Sequence, residues 1–266
     1  GYQALTALTT GLGNIAIGHN ALLTTSTDAH NTAIGYEAAK LLDGGSDNTI
    51  IGYKAFDGAA GNERQNVVIG SHSGGAASNN STDDSVLIGY QAGFGGSGLI
   101  AGCVAIGANV MDGTGTIGGS GNIAIGQGAL GGSWTGSTSN KNVGIGNYVM
   151  DAAMDGAQFN TGVGYEALSS ITTGSANVGI GREAGKIIST GGTNTCVGNA
   201  SGQTLTTGGS NVCVGYGADT DTSGRTGCVI IGYGVSLNTA SDNVVEIGND
   251  TNSMTYDLDG GDITVT

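Results

Sequence analysis

The sequence predicts an all-β protein, a parallel β-roll solenoid of about 14 to 15 coils. Three observations predict it. A short variant of Asn-x-x-Ile-Gly recurs fourteen times between residues 14 and 248, and its closing glycines lie 16 to 20 residues apart. Within each copy, β-branched residues alternate with small or apolar ones, the period of a strand. Finally, Gly makes up 54 of 266 residues and Pro is absent, with no three-residue period, which excludes collagen and suits tightly wound β coils.

Each coil can be read in order. It opens on an asparagine, at Asn14, Asn31, Asn48, Asn66, Asn122, Asn142, Asn160, Asn177, Asn194 and Asn211. Stacked coil on coil, their amides both donate and accept, so the column is expected to satisfy turn backbone and itself. Next comes a strand. Its first and third positions are β-branched or Thr, as in Ile15 and Ile17, Val67 and Ile69, or Val178 and Ile180; the residue between them is Ala16, Ala33, Val68, Leu87, Ala105, Ala124, Gly144, Gly162, Gly179, Cys196, Cys213 or Ile230. This middle position is never charged, so both faces are expected to be buried. A thin coil has room inside for one face only. The Ile and Val column is expected to face into the coil and the Ala, Gly and Cys column to face another chain.

A glycine then makes the corner, because a coil of this length needs a bend and a close backbone approach. After it a second short strand is expected, as in Tyr36-Glu37-Ala38 or Tyr165-Glu166-Ala167, with a small third residue. Turn-forming segments such as Leu205-Thr206-Thr207-Gly208-Gly209-Ser210 complete the coil. The repeat domain is expected over residues 1–248. Gly1 lies 17 residues before Gly18, so the sequence starts in mid-repeat and reads as a segment of something longer. Residues 249–266 leave the repeat and read as an exit segment leading to a following domain.

The formal net charge of −14, from 7 Lys and Arg against 21 Asp and Glu, disfavours nucleic acid and anionic membranes as partners, since phosphates call for clustered basic side chains. No apolar run approaches the ~20 residues of a membrane-spanning helix, so membrane insertion is not expected.

The strings Asn31-Thr32-Ala33-Ile34-Gly35-Tyr36-Glu37-Ala38 and Asn177-Val178-Gly179-Ile180-Gly181-Arg182-Glu183-Ala184 resemble the head repeats of trimeric autotransporter adhesins. They resemble still more the longer repeats of bacteriophage tail-fibre and related adhesive-fibre proteins. The resemblance covers residues 1 to about 248. It implies a left-handed roll, a homotrimer with chains intertwined or side by side, and a place on a virion tail fibre or a cell surface. Adhesin heads use shorter repeats, so the extra residues here are expected to lengthen outer loops.

Chemistry is sparse. His19, His30 and His72 make no metal-ligand spacing, and no catalytic constellation repeats, so neither an enzyme nor a cofactor is expected. The acidic stretches Asp83-Asp84, Asp219-Thr220-Asp221 and Asp257-Leu258-Asp259 read as solvated loops, with calcium held by oxygen ligands as the alternative. Cys103 and Cys228 occupy the asparagine column; Cys196 and Cys213 lie one repeat apart and read as buried thiols, with a disulfide as the alternative. Asn79-Asn80-Ser81-Thr82 and Asn249-Asp250-Thr251 are sequon-like. Tyr2, Tyr36, Tyr53, Tyr90, Tyr165, Tyr216 and Tyr233 each follow a motif glycine. They read as packing at a subunit edge, with a sugar-binding stripe as the alternative. The candidate binding loop is Ser133-Trp134-Thr135-Gly136-Ser137, in the longest spacing and carrying the only Trp. A trimeric adhesive fibre segment that presents loops to a host surface glycan or protein is therefore expected. A purely structural shaft and, more remotely, an ice-binding solenoid are the alternatives.

Overall fold

The computed structural model describes residues 1–75, 82–95, 100–237 and 241–260, and the backbone of 263–265. It is an all-β structure whose parallel strands make up about 13 turns of β-solenoid, without helices among the described residues. Contacts divide the chain into two units, Gly1–Lys141 and Asn142–Thr266. The first holds β1 (Ile15–Ile17), β2 (Thr32–Ile34), β3 (Thr49–Ile51), β4 (Val67–Ile69), β5 (Val86–Ile88), β6 (Val104–Ile106) and β7 (Ile123–Ile125). The second holds β8 (Val143–Ile145), β9 (Thr161–Val163), β10 (Val178–Ile180), β11 (Thr195–Val197), β12 (Val212–Val214), β13 (Val229–Tyr233), β14 (Val244–Asn249), β15 (Ser253–Asp257) and β16 (Ile263–Val265).

Within each unit every coil strand pairs in parallel with the next, in register with the repeat: Ala33 lies beside Ile50 and Cys196 beside Cys213. The fourteen motifs form the fourteen strands β1–β14, which give the about 13 turns. The fourteenth motif forms β14, which pairs in parallel with β13, but the chain then reverses and β15 and β16 run antiparallel. A hairpin needs a short connection only, whereas a further coil needs a full repeat.

The two faces of the strands are the reverse of the expectation. The middle residue points into the coil: Ala33, Ile50, Val68, Leu87, Ala105, Ala124, Cys196, Cys213 and Ile230 are all fully buried within the chain. The β-branched residues on either side point outward and are half-exposed or exposed. Ala21, Ala38, Ala55, Ala92, Ala129, Ala167, Ala184 and Ala218, three residues after their glycines, are fully buried as well, and so are larger turn residues such as Leu22, Phe56, Leu130 and Leu168. These turn side chains fill the coil, and the middle strand residue, small or large, closes the packing against them.

No second strand follows the glycine; that segment is a run of turns. Its second and fourth residues take left-handed backbone, as Glu37 (φ 54°) and Ala39 (φ 49°) do. The backbone still bonds from coil to coil: Glu37 N–H donates to the His19 carbonyl at 2.8 Å and Ala39 N–H to the Ala55 carbonyl at 2.9 Å. Those bonds offset a local penalty of roughly 1 kcal/mol for each left-handed residue. At the corner, Gly181 has φ 130°, and a Cβ there would lie 2.5 Å from the carbonyl oxygen of Gly198. Glycine is required at that position both by backbone angle and by space.

Candidate functional site

The asparagine column is consumed by the scaffold. In the first unit Asn48 donates both its backbone N–H (3.1 Å) and its Nδ2 (3.0 Å) to Asn31 Oδ1, and Asn66 does the same to Asn48 at 3.1 and 3.0 Å. Each Nδ2 also donates to a loop carbonyl, Glu63 for Asn48 and Thr82 for Asn66, at 2.8 and 2.7 Å. Ser85 and Cys103 continue the column, with Ser85 Oγ donating to the Ile100 carbonyl (2.6 Å) and Cys103 Sγ to that of Gly119 (3.2 Å). The second unit repeats the pattern through Asn142, Asn160, Asn177, Asn194 and Asn211. At the ends of these runs, Asn14 Nδ2 donates to the Asp28 carbonyl at 2.7 Å and Asn122 Nδ2 to that of Ser139 at 2.9 Å. Asn31, Asn122, Asn142 and the rest of the buried members hold turns to strands and offer no group to a ligand.

Trp134 is not a surface aromatic. It is 3% exposed, its backbone N–H donates to the Gly113 carbonyl at 2.9 Å, and its ring lies over Gly119, where a Cβ would meet Cζ3 at 2.5 Å. A long loop between two glycine-rich neighbours leaves a gap that a large ring fills. Ser133, Thr135 and Ser137 remain exposed, so this loop shows small hydroxyls to solvent and its aromatic ring to the core. Of the sequon-like stretches, residues 79–81 lie outside the described residues. Asn249 Oδ1 accepts from Thr251 N–H (2.9 Å) and Asn252 N–H (2.8 Å) in an exposed turn.

The exposed tyrosines form two different arrangements. In the first unit Tyr2, His19, Tyr36 and Tyr53 stack in succession, with centroids 5.3, 5.1 and 5.4 Å apart and planes within 9 to 19°. His19 belongs to this column because it follows Gly18 as Tyr36 follows Gly35, a spacing that sequence inspection could have caught. Stacking covers the faces of the inner rings and leaves their edges to solvent, the wrong aspect for a sugar to stack upon. In the second unit Tyr216 and Tyr233 stack likewise, centroids 5.2 Å apart with planes at 14°, whereas Tyr148 and Tyr165 meet at 88°, centroids 6.2 Å apart.

The cysteines are free and buried, and Cys196 and Cys213 stand in the interior column, not between chains. The hydrogen bond with Cys196, then burial, pushes the Cys213 thiol up; burial does the same to Cys103 and Cys228. The acidic stretches are engaged within the protein. Asp219 Oδ1 accepts from Thr204 N–H (3.0 Å) and Thr220 N–H (2.8 Å), and Asp221 pairs with Arg225 at 2.5 and 2.6 Å. Burial raises the Asp219 carboxyl, and the Arg225 hydrogen bond lowers that of Asp221. Among the described residues no group of three or more His, Cys, Asp or Glu is placed to hold a metal ion.

The most extensive exposed feature is the outer strand face. Ile15 and Ile17 are 51% and 56% exposed, and Ile123, Ile145, Ile180 and Ile231 are all more than a third exposed. On β2–β6 of the first unit and β9–β12 of the second, Thr, Val and Ile continue these columns in register. Covering an Ile that is 39% or 42% exposed, as Ile145 and Ile180 are, adds about 0.6 to 1.3 kcal/mol each. Regular apolar columns on a parallel sheet are the kind of surface that soluble chains cover.

No family model matches the chain, and neither does any curated protein or solved structure.

Proposed function

We propose that this chain is a structural and adhesive fibre segment: a homotrimer of β-solenoids that associate through their outer Ile and Val columns and present turns and loops for attachment to a cell surface. A phage tail fibre or an adhesin head is the setting in which such a segment serves. The observation that carries the reading is the half-exposed β-branched face on β2–β6 and β9–β12, repeated in register at every coil. Burying that face between copies would add apolar contact to that of the coil interior, where Leu22, Phe56, Met111 and Leu168 are already buried. Three weak contacts held on one assembly also bind a dense surface far better than one.

A second reading, a shaft without ligand, is favoured by a specific observation: the expected recognition aromatic, Trp134, is buried. The two readings part on binding of the assembled protein to arrayed glycans and to bacterial or animal cells. Adhesion that disappears when assembly is abolished supports the adhesive segment. A stable trimer that adheres to nothing leaves the shaft.

A further inference from the structure

In the second unit, the turns after Gly146, Gly164 and Gly181 bring side chains of three successive coils around one open cleft of about 510 Å3. That is within the ~300 to 1,000 Å3 of small-ligand sites. Tyr148 and Tyr165 stand on it, 36% and 45% exposed. Because their planes meet at 88°, each ring keeps a face that the other does not cover, unlike the inner rings of the Tyr2–Tyr53 stack.

The polar lining is set in place. Lys186 Nζ lies 2.5 Å from Glu166 Oε2 and 3.3 Å from Glu183 Oε1, which fixes the Glu166 carboxylate beside Tyr165 and occupies the ammonium. The Lys186 hydrogen bond holds the Glu166 carboxyl below the usual range. Asp151 lines the cleft as well, and burial pushes its carboxyl up. Ser169 and Ser170 add hydroxyls that can donate or accept.

An aromatic face beside acceptor-rich walls suits a ligand with one apolar face and a rim of hydroxyl donors. Carboxylate or sulfate groups on that ligand are disfavoured, since Asp151, Glu166 and Glu183 outnumber Lys186 and Arg182, both of which are already paired with these carboxylates. We infer that the Tyr148–Tyr165 cleft is a subsite for a neutral pyranose ring, which lays its apolar face on a tyrosine ring and donates its hydroxyls to Asp151 and Glu166. The inference deepens the adhesive reading and rests on it. The lining comes from the turns, not from the three-residue strands whose outer face is assigned to association.

Saturation-transfer NMR on the full assembled chain, with the methyl glycosides of glucose, galactose, mannose and N-acetylglucosamine and a methyl sialoside as the acidic comparator, tests it. At least one neutral glycoside should show saturation transfer with a dissociation constant on the order of millimolar, and the sialoside should show none. Tyr165→Ala and Asp151→Asn should each weaken that signal about fivefold or more, whereas Tyr165→Phe, which keeps the ring face, and Tyr216→Ala, on a different pair, should not. Circular dichroism and sedimentation confirm that each variant stays folded and assembled. Absence of transfer from all four neutral glycosides, or a signal that survives both weakening variants, overturns the subsite. Cell adhesion scored in parallel separates the two proposals: adhesion without any glycoside signal removes the subsite and leaves the adhesive reading standing.

Discussion

Replacing Gly181 with Ala is a direct trial of the corner geometry. Gly181 has φ 130°, outside the angles open to residues with a side chain, and a backbone forced there costs about 1 to 3 kcal/mol. Its new Cβ would stand 2.5 Å from the carbonyl oxygen of Gly198 and 2.7 Å from the carbonyl carbon. Gly198 cannot simply retreat, because its N–H donates to the Ile180 carbonyl at 2.8 Å, as that of Gly181 does to the Val163 carbonyl. Stretching those two bonds adds about 1 kcal/mol each. Gly181→Ala should therefore lower the unfolding free energy by about 3 to 5 kcal/mol, read as a shift of the urea midpoint by circular dichroism. Gly102 is the matched control: its φ is 63°, a Cβ would meet nothing within 4 Å, and in the same column His30 and Asp47 both have φ 60°. Gly102→Asn should change stability by less than about 1 kcal/mol. A Gly181→Ala protein within about 1 kcal/mol of the parent, or equal costs for the two substitutions, would show that the corner does not need glycine.

Two further outcomes follow from the interior. Asn177→Ala removes the acceptor of Asn194 N–H (3.0 Å) and Nδ2 (3.1 Å) and the donor to the Gly191 carbonyl (2.8 Å). It should cost about 3 to 6 kcal/mol and expose the Asn194 amide to hydrogen exchange, whereas Asn177→Ser, which copies Ser85 in the same column, should cost less. Burial, and for Cys213 first the hydrogen bond with Cys196, pushes the Cys103, Cys213 and Cys228 thiols up in the fold, so the protonated form is the one the native state favours. Their contribution is fully present below the unfolded thiol pKa of about 8.5 and is lost as pH rises beyond it. Unfolding free energies measured from pH 7 to 10 should fall more steeply in the parent than in a Cys103→Ala/Cys213→Ala variant.

The repeat was legible because its punctuation is chemical. Motif glycines such as Gly181 mark corners that no other residue can turn, and the strands begin directly after the asparagine column, as Val178 does after Asn177. Which face of the strand lies inside was not legible from alternation, since a period of two says only that Val178 and Ile180 share a side. The deciding packing lies in the turns: a Cβ at Gly179 would lie 2.8 Å from Leu168, and such buried turn side chains fill the coil on the side that the middle residue faces. The turns after the corners were misread because Glu37, Ala39 and Leu22 adopt left-handed backbone without being Gly or Asn. Bonds between coils impose that conformation, and local propensity does not announce it. Trp134 was misplaced for a related reason: a lone aromatic among Gly and Ser looks exposed until the loop closes over it. The Tyr148–Tyr165 cleft joins residues of three coils and became visible only once the register was known.

Sedimentation velocity of the parent and an Ile145→Asp/Ile180→Asp variant measures whether the copies share the outer Ile and Val face. Across three copies the two substitutions remove about 4 to 8 kcal/mol of apolar burial and set six carboxylates into the contact. Both side chains point out of the coil, so the variant should keep the β spectrum of the parent. The predicted result is a trimer for the parent and a folded monomer for the variant. A parent that sediments as a monomer, or a variant that still assembles as the parent does, would contradict the account.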